Sequence, residues 1–238
     1  MRGTLLNTAS VAAGACIGLA VGARIPSSYQ EIVVSGLGIV TAGMGIRLFL
    51  QAKSVVLVAS AIALGGILGV ALGIDHGLTV FAEWARLHMG GEAGRFNEAL
   101  ITTSVLYCVG PMTLLGCLQD GVEGNIELLA VKSTMDGITA VFFAAALGPG
   151  VLVTAAIVLA FQGAITLAAR PLRRLLADEH LIVESAGAGG VMLVGIGLGL
   201  LQVKHLPVAN YLPALLIAPG IMLMDRWRTG LKGRGVAS

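Results

Sequence analysis

The chain has 238 residues, of which 56% are hydrophobic and 12% are charged, and its mean hydropathy is +0.91. Soluble domains have about a quarter of their residues charged. The composition therefore excludes an ordinary soluble protein and predicts one that crosses a membrane several times. The net charge is only +2, and the basic residues form no aromatic-interleaved patch, so we expect no nucleic-acid partner.

Eight apolar segments follow one another along the chain, each near the roughly 20 residues that cross about 30 Å of hydrocarbon. They lie at about 4–23, 31–50, 54–74, 97–118, 129–148, 150–170, 185–203 and 207–225. Gly110-Pro111 interrupts the fourth segment, because proline lacks a backbone donor and bends a helix. Lys132 and Asp136 lie in the fifth. Either of these two segments is a candidate half-helix or re-entrant segment.

One long connection, residues 75–96, separates the third and fourth segments. Phe81, Trp84 and Leu87 recur there at helical spacing. This pattern predicts a short amphipathic helix that lies at the outer membrane interface.

The distribution of basic residues tests the number of spans. If all eight segments cross, 11 of the 15 Lys and Arg residues fall on one side, including Arg170, Arg173 and Arg174. The other side receives only Arg24, Arg86, Arg95 and Lys204. Cytoplasmic loops carry the excess of positive charge. We therefore expect both termini in the cytoplasm.

Two stretches resemble each other and suggest an internal repeat. Residues 30–53 align with residues 180–204, sharing Ser35 with Ser185 and Gly45 with Gly195, and both end in Gln-x-Lys. Because five crossings separate the two copies, their orientations are opposite. The predicted fold is one all-α transmembrane domain over 1–238, with repeat A at about 3–74, a broken central pair of segments at about 97–148, and repeat B at about 150–225. Inverted repeats that flank broken helices are typical of transporters.

Glycine makes up 34 residues, about twice the usual share of about 7%. Two ladders with glycine at every fourth position stand out, at 14, 18 and 22 and at 65, 69 and 73. Such ladders give a helix a smooth face against which a neighbouring helix packs closely.

Ionisable side chains inside a membrane are costly and are functional-site candidates by default. Lys132 and Asp136 are four residues apart and face each other on a helix. They either form a neutralising pair that only lets the helix insert, or they bind a substrate charge or exchange a proton. The other candidate substrate- or ion-binding residues are Ser133, Asp120, Asn7, Asn210, Gly110 and Pro111. For the amides Asn7, Gln162 and Asn210, the alternative is a hydrogen bond that holds helices together.

Enzyme motifs are absent: the sequence has no His-Glu-x-x-His, Gly-x-Ser-x-Gly or Gly-x-x-x-x-Gly-Lys-Ser/Thr. The three cysteines, at 16, 108 and 117, do not have metal-site spacing. We expect neither enzymatic activity, nor a cofactor, nor a bound metal.

Several short motifs resemble a known family. They comprise Gly3-x-x-x-Asn7, Cys108-Val109-Gly110-Pro111-Met112, Leu115-Gly116, Asp120-Gly121, Lys132-Ser133, Asp136-Gly137 and Asn210-x-x-Pro213-Ala214. Together they look like the YqgA/YdfK-type bacterial inner-membrane proteins, over nearly the whole chain. The resemblance implies a compact multispanning protein of the bacterial cytoplasmic membrane. The family has no assigned biochemical function and is often described as a candidate transporter, so the resemblance names no substrate.

The leading hypothesis is a transporter or channel for a small solute or ion, with membrane lipids around it. We expect a homodimer, because eight short, glycine-rich helices leave little room for a sealed path in one protomer. The alternative is a membrane scaffold or signalling subunit that transports nothing.

Overall fold

The computed structural model describes residues 1–171 and 178–234, and the regular structure in these ranges is entirely helical. The helices are α1 (Arg2–Gly22), α2 (Ser27–Gln51), α3 (Val55–Ala71), α4 (Ile74–Met89), α5 (Ala93–Cys108), α6 (Pro111–Val122), α7 (Glu127–Leu147), α8 (Gly150–Leu167), α9 (Glu179–Leu200) and α10 (Ala214–Arg234), with a 3₁₀ helix at Val208–Tyr211. Arg173 and Arg174, which the topology prediction uses, lie outside the described residues.

The chain is a helical protein of the polytopic membrane class. Five helices, α1, α2, α7, α8 and α9, are long and apolar enough to span a membrane alone. The bent pairs α3–α4 and α5–α6 and a shorter apolar helix near the C-terminus supply further candidate spans. In order, α1, α2, α3, the pair α5–α6, α7, α8, α9 and the C-terminal helix correspond to the eight predicted segments, and α4 corresponds to the helix predicted within 75–96.

The fourth predicted segment is broken where the sequence indicates. α5 ends at Cys108, α6 begins at Pro111, and the two helix axes differ in direction by 60°. The start of α5 lies beside the start of α8, where a Cβ on Gly150 would meet the Phe96 carbonyl. The end of α6 lies beside the end of α8, where a Cβ on Gly121 would overlap the Thr166 carbonyl. We infer that the pair crosses the protein as one broken span and does not turn back.

The fifth predicted segment is one continuous helix. α7 runs without a break over 21 residues and contains both Lys132 and Asp136. The prediction that both central segments are broken is therefore wrong for the fifth segment, because Lys132 and Asp136 lie on an uninterrupted helical turn.

The first glycine ladder holds α1 against α7. A Cβ on Gly14, Gly18 or Gly22 would overlap the carbonyl oxygen of residue 137, 141 or 145, respectively. The residue numbers rise together on both helices, so α1 and α7 are parallel. Only glycine lets two backbones approach this closely. The packing role predicted for this ladder is confirmed.

The second ladder has two functions. Gly65 lies against the backbone of Ala214, and Gly69 against that of Asn210, as close packing predicts. Gly73 packs against nothing within 4 Å and has a φ of +63°. It lies beyond the end of α3, where the left-handed conformation that glycine adopts freely lets the chain bend into α4. The prediction of a packing face is wrong at this position.

The connection at 75–96 contains the predicted amphipathic helix. α4 buries Ala82 and Ala85 against the protein, while Phe81, Trp84 and Leu87 are exposed. An exposed apolar face of this kind fits the lipid interface, where tryptophan is enriched.

Candidate functional site

Polar side chains from three helices meet in the interior of the protein. Asn7 of α1 and Gln162 of α8 are fully buried, and Lys132 and Asp136 of α7 are only 8% and 6% exposed. The two glycine-packed helices α1 and α7 bring Asn7 to Asp136. We call these four side chains the central network.

The charges of the network neutralise each other. The Lys132 ammonium lies 2.9 Å from Oδ1 and 2.8 Å from Oδ2 of Asp136. Their spacing of four residues places both on one face of α7. Burial makes either charge costly by itself, because a buried ion needs a partner and further hydrogen bonds.

Asn7 connects the ion pair to α8. Its Nδ2 donates to Oδ2 of Asp136 over 3.1 Å and to Oε1 of Gln162 over 3.2 Å. These two acceptors fix the orientation of the amide. The Asn7 Oδ1 atom is buried without a hydrogen-bond partner in the part of the chain that the structure describes, although buried polar atoms are nearly always satisfied. The network therefore offers an unused acceptor.

The break between α5 and α6 adds a backbone acceptor. In a continuous helix the Tyr107 carbonyl would accept from the N–H of residue 111, but Pro111 has none. The Thr113 hydroxyl donates to this carbonyl over 3.1 Å, and Nε2 of Gln162 approaches it at 3.5 Å. The broken span thus becomes part of the polar interior.

The network lies at membrane depth. Asn7 is five residues from the start of α1, or about 8 Å along its axis, and Asp136 is nine residues from the start of α7, or about 14 Å. Both positions fall within about 30 Å of hydrocarbon. A solute that donates hydrogen bonds or carries positive charge would compete with Lys132 for the oxygens of Asp136.

Asp120 forms a neighbouring but separate contact. Its buried carboxylate accepts the backbone N–H groups of Gly3 over 3.0 Å and Thr4 over 3.3 Å. The amino group of Met1 lies 2.8 Å from the other carboxylate oxygen. A carboxylate at the positive end of a helix is favourable, so Asp120 acts here as a remote cap of α1.

The structure does not bring the other predicted residues into the network. Ser133 donates to the carbonyl four residues earlier on α7, over 2.6 Å. Oδ1 of Asn210 accepts the Asp75 N–H over 3.1 Å, beside Gly69 and the start of α4. Gly110 and Pro111 take part only through the break they create. The predicted set thus separates into Asn7, Lys132 and Asp136 inside the network and the others outside it.

Sequence reasoning overlooked Tyr107 and Glu184. The Tyr107 hydroxyl lies 3.3 Å from that of Thr139, but its carbonyl matters more, because Pro111 has no N–H to donate to it. Glu184 is 2% exposed on α9. An acidic residue at the edge of an apolar segment could have indicated it. Glu184 was missed because the predicted segment begins one residue later, at residue 185.

Within residues 1–171 and 178–234, no three His, Cys, Asp or Glu side chains are grouped to hold a metal ion. The central network consists of amide, carboxylate, ammonium and carbonyl groups.

Comparison with known proteins agrees with the motifs around this site. The sequence model of a family described as "Protein of unknown function (DUF554)" matches residues 2–223. The chain belongs to this family. Its relatives include "Uncharacterized membrane protein YdfK" of Bacillus subtilis (strain 168), 28% identical over 228 residues that cover 94% of this chain and 96% of the relative. They also include "Uncharacterized protein YqgA" of Escherichia coli (strain K12), 29% identical over 222 residues, or 91% and 94% of the two chains.

The resemblance to YqgA/YdfK-type proteins is thus confirmed across nearly the whole chain. No solved structure matches the chain. One of these relatives is named as a membrane protein, in agreement with the apolar helices of this chain.

Proposed function

We propose that this DUF554 protein is a transporter or channel for a small solute or ion, with its site at the central network. The observation that carries the proposal is the buried Asn7 Oδ1, which lies next to the Lys132–Asp136 pair and has no hydrogen-bond partner among residues 1–171 and 178–234. A buried acceptor that is left without a hydrogen bond costs about 1–3 kcal/mol. A solute that supplies a donor would recover that free energy.

Inverted repeats would place this site at their interface. α2 and α9, the two aligned stretches, pack antiparallel with Gly45 against the backbone of Gly190 and Gly38 beside Gly197. Ser35 and Ser185 each donate to the carbonyl four residues earlier. In an inverted repeat, α1 of repeat A corresponds to α8 of repeat B, and α7 corresponds to the broken span that begins with α5. The parallel contact between α1 and α7 then corresponds to the parallel contact between α8 and α5. These features support the inversion.

The same proposal includes the cellular setting. We place the protein in the bacterial cytoplasmic membrane as a homodimer without enzymatic activity. The dimer is part of the proposal because one protomer of short helices offers little width for a sealed path. Lipid is the other partner, contacting side chains such as Ile32, Leu50 and Ile67, which are 71%, 74% and 70% exposed.

Flux measurements test the transport function. The protein would be reconstituted in liposomes and its charge movement recorded after concentration jumps of Na⁺, K⁺, NH₄⁺, H⁺, amino acids and carboxylates. We expect one of these solutes to give a saturable signal that Asn7→Ala reduces at least tenfold, with the matched control Ser35→Ala on exposed α2 unchanged. No flux from any of them, together with stoichiometric co-purification of another membrane protein, would favour the scaffold function.

Reporter fusions test the orientation. With eight spans and 11 of 15 basic residues on one side, fusions at Arg2 and Ser238 should both report the cytoplasm. A fusion at Gly91, after α4, should report the outside. A periplasmic C-terminus would contradict both the even number of spans and the inversion.

A further inference from the structure

A cavity of about 480 Å³ opens between the starts of α3 and α9 and the side of α10. It is far larger than the volume of about 30 Å³ that one water occupies in the liquid. Its residues belong to elements that do not form the central network. Any ligand bound here is therefore independent of the transport site proposed above.

The inner wall of the cavity carries a buried carboxylate. Glu184 is 2% exposed, and its Oε1 accepts the N–H groups of Lys53 over 2.8 Å and Ser54 over 3.0 Å. These groups precede α3, whose positive end favours a charged carboxylate. The second oxygen, Oε2, is buried and has no hydrogen-bond partner among the described residues. The wall of the cavity thus holds, just beneath its surface, a carboxylate with an unused acceptor.

A cationic group, the Lys53 ammonium, lines the same cavity beside His180. His180 and Glu184 are four residues apart on α9, which places their Cβ atoms about 5–6 Å apart. The Lys53 ammonium lies 3.0 Å from Nδ1 of His180, and both side chains are exposed at the mouth of the cavity. The ammonium has no carboxylate partner among the ion pairs of the described residues.

The remaining wall is apolar. Leu57 of α3 and Ile221 and Met222 of α10 are among its lining residues. A ligand that fits all three parts has a positive donor, a negative acceptor close to it and a short apolar tail.

We propose that this cavity binds a small zwitterion with an apolar side chain, of the hydrophobic α-amino acid class. Its ammonium group donates to Oε2 of Glu184, its carboxylate pairs with Lys53, and its side chain contacts Leu57, Ile221 and Met222. Lys53 contacts His180, which lies one helical turn from Glu184 on α9, so a positive and a negative group line the same cavity, as the carboxylate and ammonium of an α-amino acid require.

Three matched probes test the ligand class on the purified full-length protein in detergent. L-leucine carries both charges, isoamylamine lacks the carboxylate, and 4-methylpentanoate lacks the amine. We expect L-leucine to raise the melting temperature saturably and to bind at least tenfold more tightly than either single-charge analogue, measured by thermal shift and calorimetry. Equal binding of isoamylamine, or no binding of L-leucine, would overturn the proposal.

Two variants locate the binding. Glu184→Gln keeps an acceptor for the two backbone N–H groups, so it should fold, but it presents an amide donor to the ligand ammonium and should lose L-leucine binding at least tenfold. Lys53→Met should weaken L-leucine similarly while leaving the weak binding of isoamylamine unchanged. Lys204→Met, which removes an exposed lysine elsewhere, is the control. L-leucine binding that survives Glu184→Gln would place the ligand elsewhere and contradict the assignment.

Discussion

Gly18→Leu should strongly destabilise the protein. A Cβ at this position would overlap the carbonyl oxygen of Val141 and lie 2.8 Å from the Cβ of Ala144. Backbone cannot move aside as a flexible side chain does, so α1 and α7 must separate. We expect a loss of about 3 kcal/mol, which lowers the melting temperature by roughly 6–12 °C for a chain of this size.

The chain supplies a matched control for this change. Gly43 also lies within a long apolar helix, α2, but a Cβ there would meet nothing within 4 Å. Gly43→Leu should therefore melt within about 2 °C of the wild type. If both variants melt alike, the α1–α7 contact is not the close backbone packing that the first glycine ladder indicates. Because that contact also places Asn7 beside Asp136, Gly18→Leu should reduce any flux together with stability.

Periodic and compositional features were predictable from the sequence. The eight apolar segments, the amphipathic α4 and the break at Gly110-Pro111 each follow from a local rule about apolar length, helical spacing or the missing N–H of proline. The pairing of Lys132 with Asp136 was predictable as well, since both lie on one helix. These features need no knowledge of which helices are neighbours.

Contacts between distant helices were not predictable in the same way. The polar residues Asp120, Glu184 and Asn210 each accept backbone N–H groups near the start of a helix far away in sequence. Every helix begins with N–H groups that lack a partner within the helix. The sequence therefore does not show which polar side chain accepts from which of these groups. Only the arrangement of helices shows that Oδ1 of Asn7 and Oε2 of Glu184 are buried without a hydrogen-bond partner among the described residues.

The second large effect concerns the central ion pair. Asp136→Leu alone leaves the Lys132 ammonium buried without its partner, and Lys132→Met alone leaves the carboxylate in the same state. Each single change should cost about 3–5 kcal/mol. The charge-free double variant Lys132→Met/Asp136→Leu should regain most of this loss, because desolvating a buried pair costs about as much as the pairing returns. Thermal melting of the two single variants and the double variant measures the difference.

The Lys132→Met/Asp136→Leu variant also separates structure from function. Asn7 keeps Gln162 as an acceptor at 3.2 Å after both charges are gone, so α1, α7 and α8 should stay together. If the two charges only neutralise each other, flux should persist in this variant. If Asp136 binds the solute, the variant should fold normally and transport nothing. We expect the second result. Glu127→Gln, which removes an exposed charge from the same helix, should leave both stability and flux unchanged. A stable and fully active double variant would exclude the pair from the site and leave the Asn7 amide as the group to test next.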